Sequence, residues 1–259
     1  MNRIDRAFAE LKESGRKGLI GYLTGGDPDM ATSERNIRSA IENGVDLLEL
    51  GVPFSDPTAD GPTIQEAAQR SLASGTTLPG LLDMVRNLRR DVDVPIILFG
   101  YANPFFRYGY EEICRDAAEA GIDGMLVVDL PFEQLDELRA HTDAHGIYPV
   151  PLIAPTTPAD RMALITRQAK GFIYYIMVTG VTGARDRVVA DVTDHIAQLR
   201  ACTALPIAVG FGISNGEQAA VAAQAADAVV VGSALVKAAQ GGALAELVRD
   251  LKEGLARAQ

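Results

Sequence analysis

The chain has 259 residues, of which 47% are hydrophobic and 22% charged, and a formal net charge of -10 at pH 7. This length and composition fit a globular protein with a large buried core, and they suit a single eight-unit α/β barrel. The surplus of acidic residues argues against a nucleic-acid partner, because such a protein needs excess Lys and Arg to displace the counterions of the phosphates. A phosphorylated small molecule stays open as a ligand, since backbone N–H groups can hold a phosphate without net positive charge.

Eight short apolar runs along the chain predict β-strands. Each run is almost continuously apolar rather than alternating, which is typical of parallel strands that are covered on both faces. The runs are residues 19–24, 45–51, 94–100, 124–129, 148–153, 172–178, 206–210 and 228–232.

Amphipathic segments with helical spacing lie between these runs. Several of them end at a glycine, as helices often do, and residues 1–13 show the same spacing ahead of the first strand. The helices predicted after the first strand are residues 33–43, 63–74, 79–91, 110–120, 132–145, 158–168, 189–200, 216–225, 234–240 and 243–256.

Strict alternation of strand and helix predicts a parallel sheet, and eight units in 259 residues favour its closure into a barrel. We therefore expect an α/β protein in which residues 1–259 form one (β/α)8 TIM-barrel domain, with an extra N-terminal helix and a short phosphate-binding helix after the eighth strand. An open, doubly wound sheet is the alternative. It is disfavoured because the turn after the first strand, Gly25-Gly26-Asp27-Pro28, lacks the Gly-x-Gly-x-x-Gly pattern of dinucleotide-binding folds.

The second predicted strand carries a carboxylate at a position where barrels place reactive groups, near the carboxyl end of the strand. Glu49 lies between Leu48 and Leu50 and shares a strand face with Leu47. If Leu48 and Leu50 face the helices, Glu49 points into the barrel, where apolar surroundings raise the pKa of a carboxyl group toward neutrality. A structural glutamate held by a salt bridge is the alternative.

Two further carboxylates follow strands. Asp60 ends a proline-rich segment after the second strand, and Asp129 ends the fourth strand. Asp60 has helix capping as its alternative role. For Asp129, a structural hydrogen-bond acceptor for a neighbouring loop is the slightly favoured interpretation. Asp56, in the same segment as Asp60, is interpreted as a turn residue or a contact with a partner.

Glycine-rich turns follow the last three predicted strands, at residues 179–184, 210–215 and 232–233. Barrels often hold a phosphate with the loops after strands seven and eight and with the N-terminus of a short extra helix. Glycine lets the backbone approach phosphate oxygens, and Ser233 is placed to cap the short helix and to donate to the phosphate. The three turns together predict a phosphate site.

Other chemistries fit the sequence less well. His141 and His145 are four residues apart in a predicted helix, but no third ligand lies nearby, so a solvated helix face is preferred to a metal site. A Schiff-base mechanism needs a lysine inside the barrel, and neither Lys170 nor Lys237 is placed there. Two alternative functions stay open. A phosphate-binding isomerase or epimerase is disfavoured because no histidine ends a strand, and a non-catalytic barrel subunit because both carboxylates are present.

The location predicted for the chain is the cytoplasm. Its two cysteines, Cys114 and Cys202, are far apart in the sequence, which suits a reducing compartment. The N-terminus lacks the apolar core of a signal peptide.

Residues 48–62, with the sequence LELGVPFSDPTADGP, resemble the signature segment of the tryptophan synthase alpha family. The similarity continues in order along essentially the whole chain, in Gly25-Gly26-Asp27-Pro28, Tyr101-Ala102-Asn103-Pro104, Gly180-Val181-Thr182-Gly183, Gly210-Phe211-Gly212-Ile213 and Val231-Gly232-Ser233. This resemblance implies a TIM-barrel lyase of L-tryptophan biosynthesis. Such an enzyme cleaves indole-3-glycerol phosphate into indole and glyceraldehyde 3-phosphate.

The resemblance also implies roles for individual residues. Glu49 and Asp60 match the family's catalytic pair. The positions that match phosphate-holding residues are Gly183, Gly212, Gly232 and Ser233. Those expected to line the indole pocket are Tyr22, Phe99, Tyr101, Leu126, Ile153, Tyr174 and Phe211. Thr182 matches a residue of a mobile loop that closes over the site, and Asp129 is assigned to the same closure.

A partner is implied as well. The family works in an alpha2beta2 complex with a beta subunit that carries pyridoxal phosphate, while the alpha chain itself is expected to hold no cofactor and no metal. The residues expected at the contact with the beta subunit are Asp56, Asn103 and Pro131.

Overall fold

The structure is a computed structural model that describes residues 1–176, 185–210 and 212–258. Three of the predicted site residues, Thr182, Gly183 and Phe211, lie outside this described part of the chain. Within it, no helix is both long enough and apolar enough to cross a membrane.

The strands form one parallel sheet. They are β1 (Gly18–Thr24), β2 (Leu47–Gly51), β3 (Ile96–Gly100), β4 (Gly124–Val127), β5 (Tyr148–Pro149), β6 (Leu152–Ile153), β7 (Ile173–Ile176), β8 (Ile207–Gly210) and β9 (Ala228–Val231). Their order in the sheet is β5-β4-β3-β2-β1-β9-β8-β7-β6. β5 and β6 are two halves of the fifth predicted strand. β5 pairs with β4 and β6 pairs with β7, with only Val150 and Pro151 between them, so the sheet closes into the predicted TIM barrel.

Helices pack around this sheet. In the described part of the chain they are α1 (Arg3–Glu13), α2 (Met30–Glu42), α3 (Pro62–Ala73), α4 (Leu78–Leu88), α5 (Ala102–Tyr108), α6 (Tyr110–Ala120), α7 (Asp136–Ala144), α8 (Ala159–Gln168), α9 (Arg185–Cys202), α10 (Gly216–Ala223), α11 (Ser233–Gly241) and α12 (Leu244–Ala256). A short 3-10 turn, Phe132–Gln134, precedes α7, where one continuous helix was predicted. The short helix α5 was not predicted, and it ends at Gly109, whose φ of 99° favours glycine.

Alternate residues of each strand face opposite layers of the protein. Leu48 and Leu50 of β2 pack in the outer layer between sheet and helices. Leu47 packs in the barrel interior with Ile97 and Leu126 of the neighbouring strands. This confirms the orientation on which the interpretation of Glu49 depended, since Glu49 is two residues from Leu47.

The N-terminal helix α1 closes one end of the barrel. Its apolar residues Ile4, Phe8 and Leu11 are buried in the same interior cluster as the strand residues, and the ring of Phe8 lies 5.4 Å from that of Phe172. The amino ends of the strands are therefore blocked. The carboxyl ends form the open mouth, where barrel enzymes place their chemistry.

Three aspartates make the same hydrogen bond at the closed end, although the sequence shows no close repeat. Each lies just before a strand, and its Oδ2 atom accepts the backbone N–H at the start of the preceding strand in the chain. The pairs are Asp46 with Leu19 at 2.8 Å, Asp123 with Ile96 at 2.9 Å and Asp227 with Ile207 at 2.7 Å. Each carboxylate also binds a cation, Lys252 at 2.6 Å, Arg89 at 2.7 Å and Arg200 at 2.6 Å respectively. These aspartate bridges fix the alignment of three strand pairs.

Candidate active site

Glu49 is buried at the mouth of the barrel, and no cation among the described residues forms an ion pair with it. Its side chain lies on β2, only 1% exposed, and its Oε1 atom has no hydrogen-bond partner among the described residues. Burial raises the pKa of this carboxyl group from 4.5 to about 8. Glu49 is therefore mostly protonated at neutral pH, as a general acid must be. The alternative of a salt-bridged structural glutamate does not hold among the described residues.

Two tyrosine rings lie inside the barrel, and glycines make room for them. A Cβ atom at Gly51 of β2 would overlap the Tyr22 hydroxyl, and one at Gly210 of β8 would overlap the Tyr174 hydroxyl. Burial raises the pKa of Tyr174 well above its ordinary value, and the charge of Glu49 adds to the effect. Both hydroxyls thus stay protonated and uncharged within the barrel.

Asp60 belongs to the segment between β2 and α3, and its carboxylate is hydrogen-bonded rather than free. Its Oδ2 atom accepts from the Tyr101 hydroxyl at 2.9 Å. Burial raises the pKa of Asp60 above its ordinary value, while the Tyr101 hydrogen bond acts in the opposite direction. The residue does not cap α3, because Gly61 occupies the N-cap position with no side-chain bond and Pro62 begins the helix. This removes the capping alternative.

The two carboxylates lie at the same end of the barrel, since Glu49 is on β2 and Asp60 is in the segment that follows this strand. Glu49 is the register partner of Tyr22 on β1. Burial raises the pKa of Tyr22, and the charges of Asp60 and Glu49 raise it further. The Tyr22 ring meets that of Phe99 edge-on at a centroid distance of 5.1 Å. A neutral acid, a hydrogen-bonded carboxylate and an aromatic pair therefore lie at the mouth of the barrel.

The expected indole pocket needs one correction. Tyr22, Phe99, Leu126 and Tyr174 belong to interior clusters at the barrel mouth. Ile153 does not line this pocket, because it packs in the outer layer beside Tyr175, its register partner.

Leu152 takes the interior position instead, opposite Tyr174. Val128 packs against the same interior cluster and was not foreseen. The unbroken apolar run around residue 152 gave no alternation from which the phase of this strand could be predicted. Tyr101 lies next to the pocket, with its ring 5.3 Å from that of Phe54.

The glycine turns after β8 and β9 reach the same mouth. Gly212 is exposed with a φ of 76°. Gly232 faces Tyr22, since a Cβ atom at Gly232 would lie 3.6 Å from the Cβ of Tyr22. Ser233 is the first residue of α11 and is exposed. It does not cap the helix, contrary to expectation, because Gly232 is the N-cap and makes no side-chain bond. The N-terminus of α11 therefore opens toward Tyr22, with its first N–H groups lacking intrahelical partners.

The remaining predicted residues lie around the rim. Asp129 is exposed, and its Oδ1 atom accepts from the backbone N–H of Ala102 at 2.7 Å, which is the structural role considered for it. Asp56, Asn103 and Pro131 are all exposed in loops and helix ends at the carboxyl ends of the strands.

An apolar cavity of about 390 Å³ lies beside the site, between β4, β6 and α7. Its lining includes Val128, Asp129 and Leu152 but neither Glu49 nor Asp60. No group of His, Cys, Asp and Glu in the described ranges is arranged to hold a metal ion.

A parallel barrel that is blocked at one end, with a neutral buried acid, a second carboxylate and an aromatic pair at the other, defines an enzyme of acid–base chemistry. The sequence model of the family described as "Tryptophan synthase alpha chain" matches residues 8–257. The chain belongs to this family, which gives it a role in tryptophan biosynthesis as a lyase.

Individual relatives are similar along nearly their whole length. The tryptophan synthase alpha chain of Geobacter sp. (strain M21) is 53% identical over 251 residues, which cover 97% of this chain and 94% of the relative. The crystal structure of tryptophan synthase subunit alpha from Legionella pneumophila str. Paris is 38% identical and covers 99% of both chains with a TM-score of 0.90. A structure from Aquifex aeolicus VF5 is 42% identical, covering 98% of this chain and 99% of its own, with a TM-score of 0.92.

Proposed function

We propose that this chain cleaves indole-3-glycerol phosphate into indole and glyceraldehyde 3-phosphate, as the alpha subunit of tryptophan synthase. The observation that carries the proposal is Glu49, a buried carboxyl group with a pKa of about 8 and no partner for Oε1 among the described residues. Such a group can give a proton and take one back near neutral pH.

The first step supplies the electron sink that the reaction needs. The bond to be broken joins C3 of the indole ring to a carbon that bears a hydroxyl group. Protonated Glu49 gives its proton to C3, which converts the ring into a positively charged indolenine. Ionised Asp60 accepts a hydrogen bond from the ring N–H and stabilises the positive charge that grows there.

The second step breaks the carbon–carbon bond. Glu49, now a carboxylate, takes the proton of the substrate hydroxyl group. The oxygen forms the aldehyde carbonyl, and the electron pair of the broken bond returns to the ring, which leaves as neutral indole. Glu49 is protonated again at the end of the cycle, so protons and electrons balance within the chain.

Substrate binding is proposed to use the aromatic pocket and the glycine turns. Gly212, Gly232 and Ser233 would hold the phosphate at the N-terminus of α11, together with Gly183. Tyr22, Phe99, Leu126, Tyr174 and Leu152 would enclose the indole ring, with Tyr101 and Phe211 beside it. Thr182 would complete the site when its loop closes.

The proposed partner is a beta subunit that carries pyridoxal phosphate, in an alpha2beta2 complex, whereas this chain is proposed to use no cofactor of its own. Asp56, Asn103 and Pro131 are exposed around the mouth, which supports their assignment to that contact. A protein joined there would receive indole directly from the barrel.

The test is release of indole from indole-3-glycerol phosphate by the purified chain, with and without a beta subunit. The chain contains no tryptophan, so the fluorescence of released indole is measured without a background of tryptophan fluorescence from this chain. Glu49→Gln is the matched control, because it keeps the shape of the side chain and removes its proton. Absence of indole in both conditions would reject the reaction and favour a non-catalytic barrel subunit.

A further inference from the structure

The segment that carries Asp60, residues 52–61, follows β2 at the open mouth of the barrel and leads into α3. Two hydrogen bonds between residues close in sequence hold the backbone of this segment. They run from Thr58 N–H to the Asp56 carbonyl at 2.9 Å and from Asp60 N–H to the Pro57 carbonyl at 3.1 Å. A turn of this kind does not by itself aim a side chain. The direction of the Asp60 carboxylate therefore depends on groups outside the segment.

Tyr101 is one of these groups, and its hydroxyl binds the segment twice. It donates to Asp60 Oδ2 at 2.9 Å and accepts from the Ala59 N–H at 3.0 Å. The ring is only 3% exposed and packs against Phe54, so packing of the ring holds the hydroxyl in place. The next residue, Ala102, is in turn fixed through its N–H by Asp129.

Gln65 is the other group, and it acts on the backbone rather than on the carboxylate. It lies in the first turn of α3, and its Nε2 atom donates to the Asp60 carbonyl at 2.8 Å and to the Pro57 carbonyl at 3.4 Å. One amide thus holds both ends of the turn that presents Asp60.

We propose that Tyr101 and Gln65 are positioning residues for Asp60, Tyr101 by orienting its carboxylate and Gln65 by fixing the turn behind it. The inference rests on the proposed function, because the orientation of Asp60 affects catalysis only if Asp60 takes part in that reaction. The two contributions differ in kind: Tyr101 acts on the charge of Asp60 as well as on its direction, whereas Gln65 acts on geometry alone. The hydroxyl stabilises the ionised carboxylate against its burial, which opposes ionisation.

The experiment compares Tyr101→Phe and Gln65→Met in the complete chain. Both variants should lower kcat/KM by about ten- to hundred-fold, the usual effect of a small misplacement of a reacting group. Only Tyr101→Phe should also move the acidic limb of the pH profile to higher pH, because Asp60 then protonates more easily. In an Asp60→Asn background neither substitution should cause a further loss, since each acts through Asp60.

Two matched controls separate positioning from general damage. Tyr108→Phe removes another tyrosine–aspartate hydrogen bond, to Asp116 at 2.7 Å, at a residue outside the proposed site. Gln69→Met makes the same change as Gln65→Met at an exposed position of the same helix. Both should keep the activity and pH profile of the parent chain.

A readout that does not need turnover tests the inference separately from the proposed function. A ¹³C NMR titration of the Asp60 carboxyl group, assigned with Asp60→Asn, should show a higher pKa in Tyr101→Phe and no change in Gln69→Met. An unchanged pKa in Tyr101→Phe, or losses that add to that of Asp60→Asn, overturns the positioning role. If the parent chain releases no indole while this pKa still rises, the proposed reaction fails and the contact with Tyr101 stands.

Discussion

Replacing Glu49 by Gln should make the protein more stable while removing its activity. The folded protein binds a proton at Glu49 up to a pKa of about 8, whereas the unfolded chain releases it near 4.5. The favourable contribution of the neutral carboxyl group is therefore fully present below pH 4.5 and is lost as the pH rises toward 8. Glutamine has no proton to lose, so its contribution does not change across this range.

The size of the effect follows from the difference between the two pKa values. One pKa unit corresponds to about 1.4 kcal/mol, so ionising Glu49 in place costs roughly 5 kcal/mol. About 3 kcal/mol of this cost is already present at pH 7. The side chain is only 1% exposed, so solvent screening does not reduce it. For a chain of this length the gain would raise Tm by roughly 6–12 °C.

The assay is urea unfolding of the parent chain and Glu49→Gln between pH 4.5 and 8.5, with Glu119→Gln, an exposed position on α6, as the control. The difference in unfolding free energy should grow with pH for Glu49→Gln and stay flat for Glu119→Gln. Activity should fall at least ~100-fold in Glu49→Gln, about 2.7 kcal/mol of barrier. A flat stability difference would mean that Glu49 is ionised in the folded protein, and the reasoning about its acid role would then be wrong.

Three further outcomes are expected. Leu152→Ala should raise KM for indole-3-glycerol phosphate, whereas Ile153→Ala should lower the unfolding free energy and leave KM unchanged, as steady-state kinetics and urea unfolding will show. Ser233→Ala should weaken competitive inhibition by inorganic phosphate by about ten-fold, the usual value of a hydrogen bond to a charged group. Asp123→Ala should lower the unfolding free energy by about 3–5 kcal/mol, because it leaves the nearly buried Arg89 without its partner. Its kcat in the folded state should equal that of the parent chain.

Each of these outcomes has a result that contradicts it. Equal KM effects at residues 152 and 153 would contradict the orientation of β6. Unchanged phosphate inhibition in Ser233→Ala would place the phosphate away from α11. A loss of kcat in Asp123→Ala without unfolding would mean that the closed end of the barrel influences the chemistry.

The sequence carried enough information for the architecture and for Glu49. Continuous apolar runs that alternate with amphipathic segments predict a parallel barrel, and the period of two places Glu49 on the same face as Leu47. The structure agrees, because Leu48 and Leu50 pack outward.

Other features depend on contacts that no local pattern reveals. Tyr101 and Asp60 are 41 residues apart in the chain, and only the neighbouring positions of β2 and β3 in the sheet bring their side chains together. Which side chains of β6 face the barrel interior is a different case, because Pro149 and Pro151 interrupt a run that is apolar throughout. Alternation is invisible there, so the strand pattern offered no check on the resemblance, which alone had placed Ile153 in the pocket.

The aspartate bridges of Asp46, Asp123 and Asp227 hold the strand register at one end of the barrel. The proposed reaction takes place at the other end. Register is fixed at the blocked end, by carboxylates that reach the first amide of a neighbouring strand. For these three strand pairs, the loops at the opposite end carry a smaller share of strand alignment. They can lengthen, tighten or exchange side chains without disturbing the framework beneath them, which makes this barrel a suitable scaffold for grafting new loops.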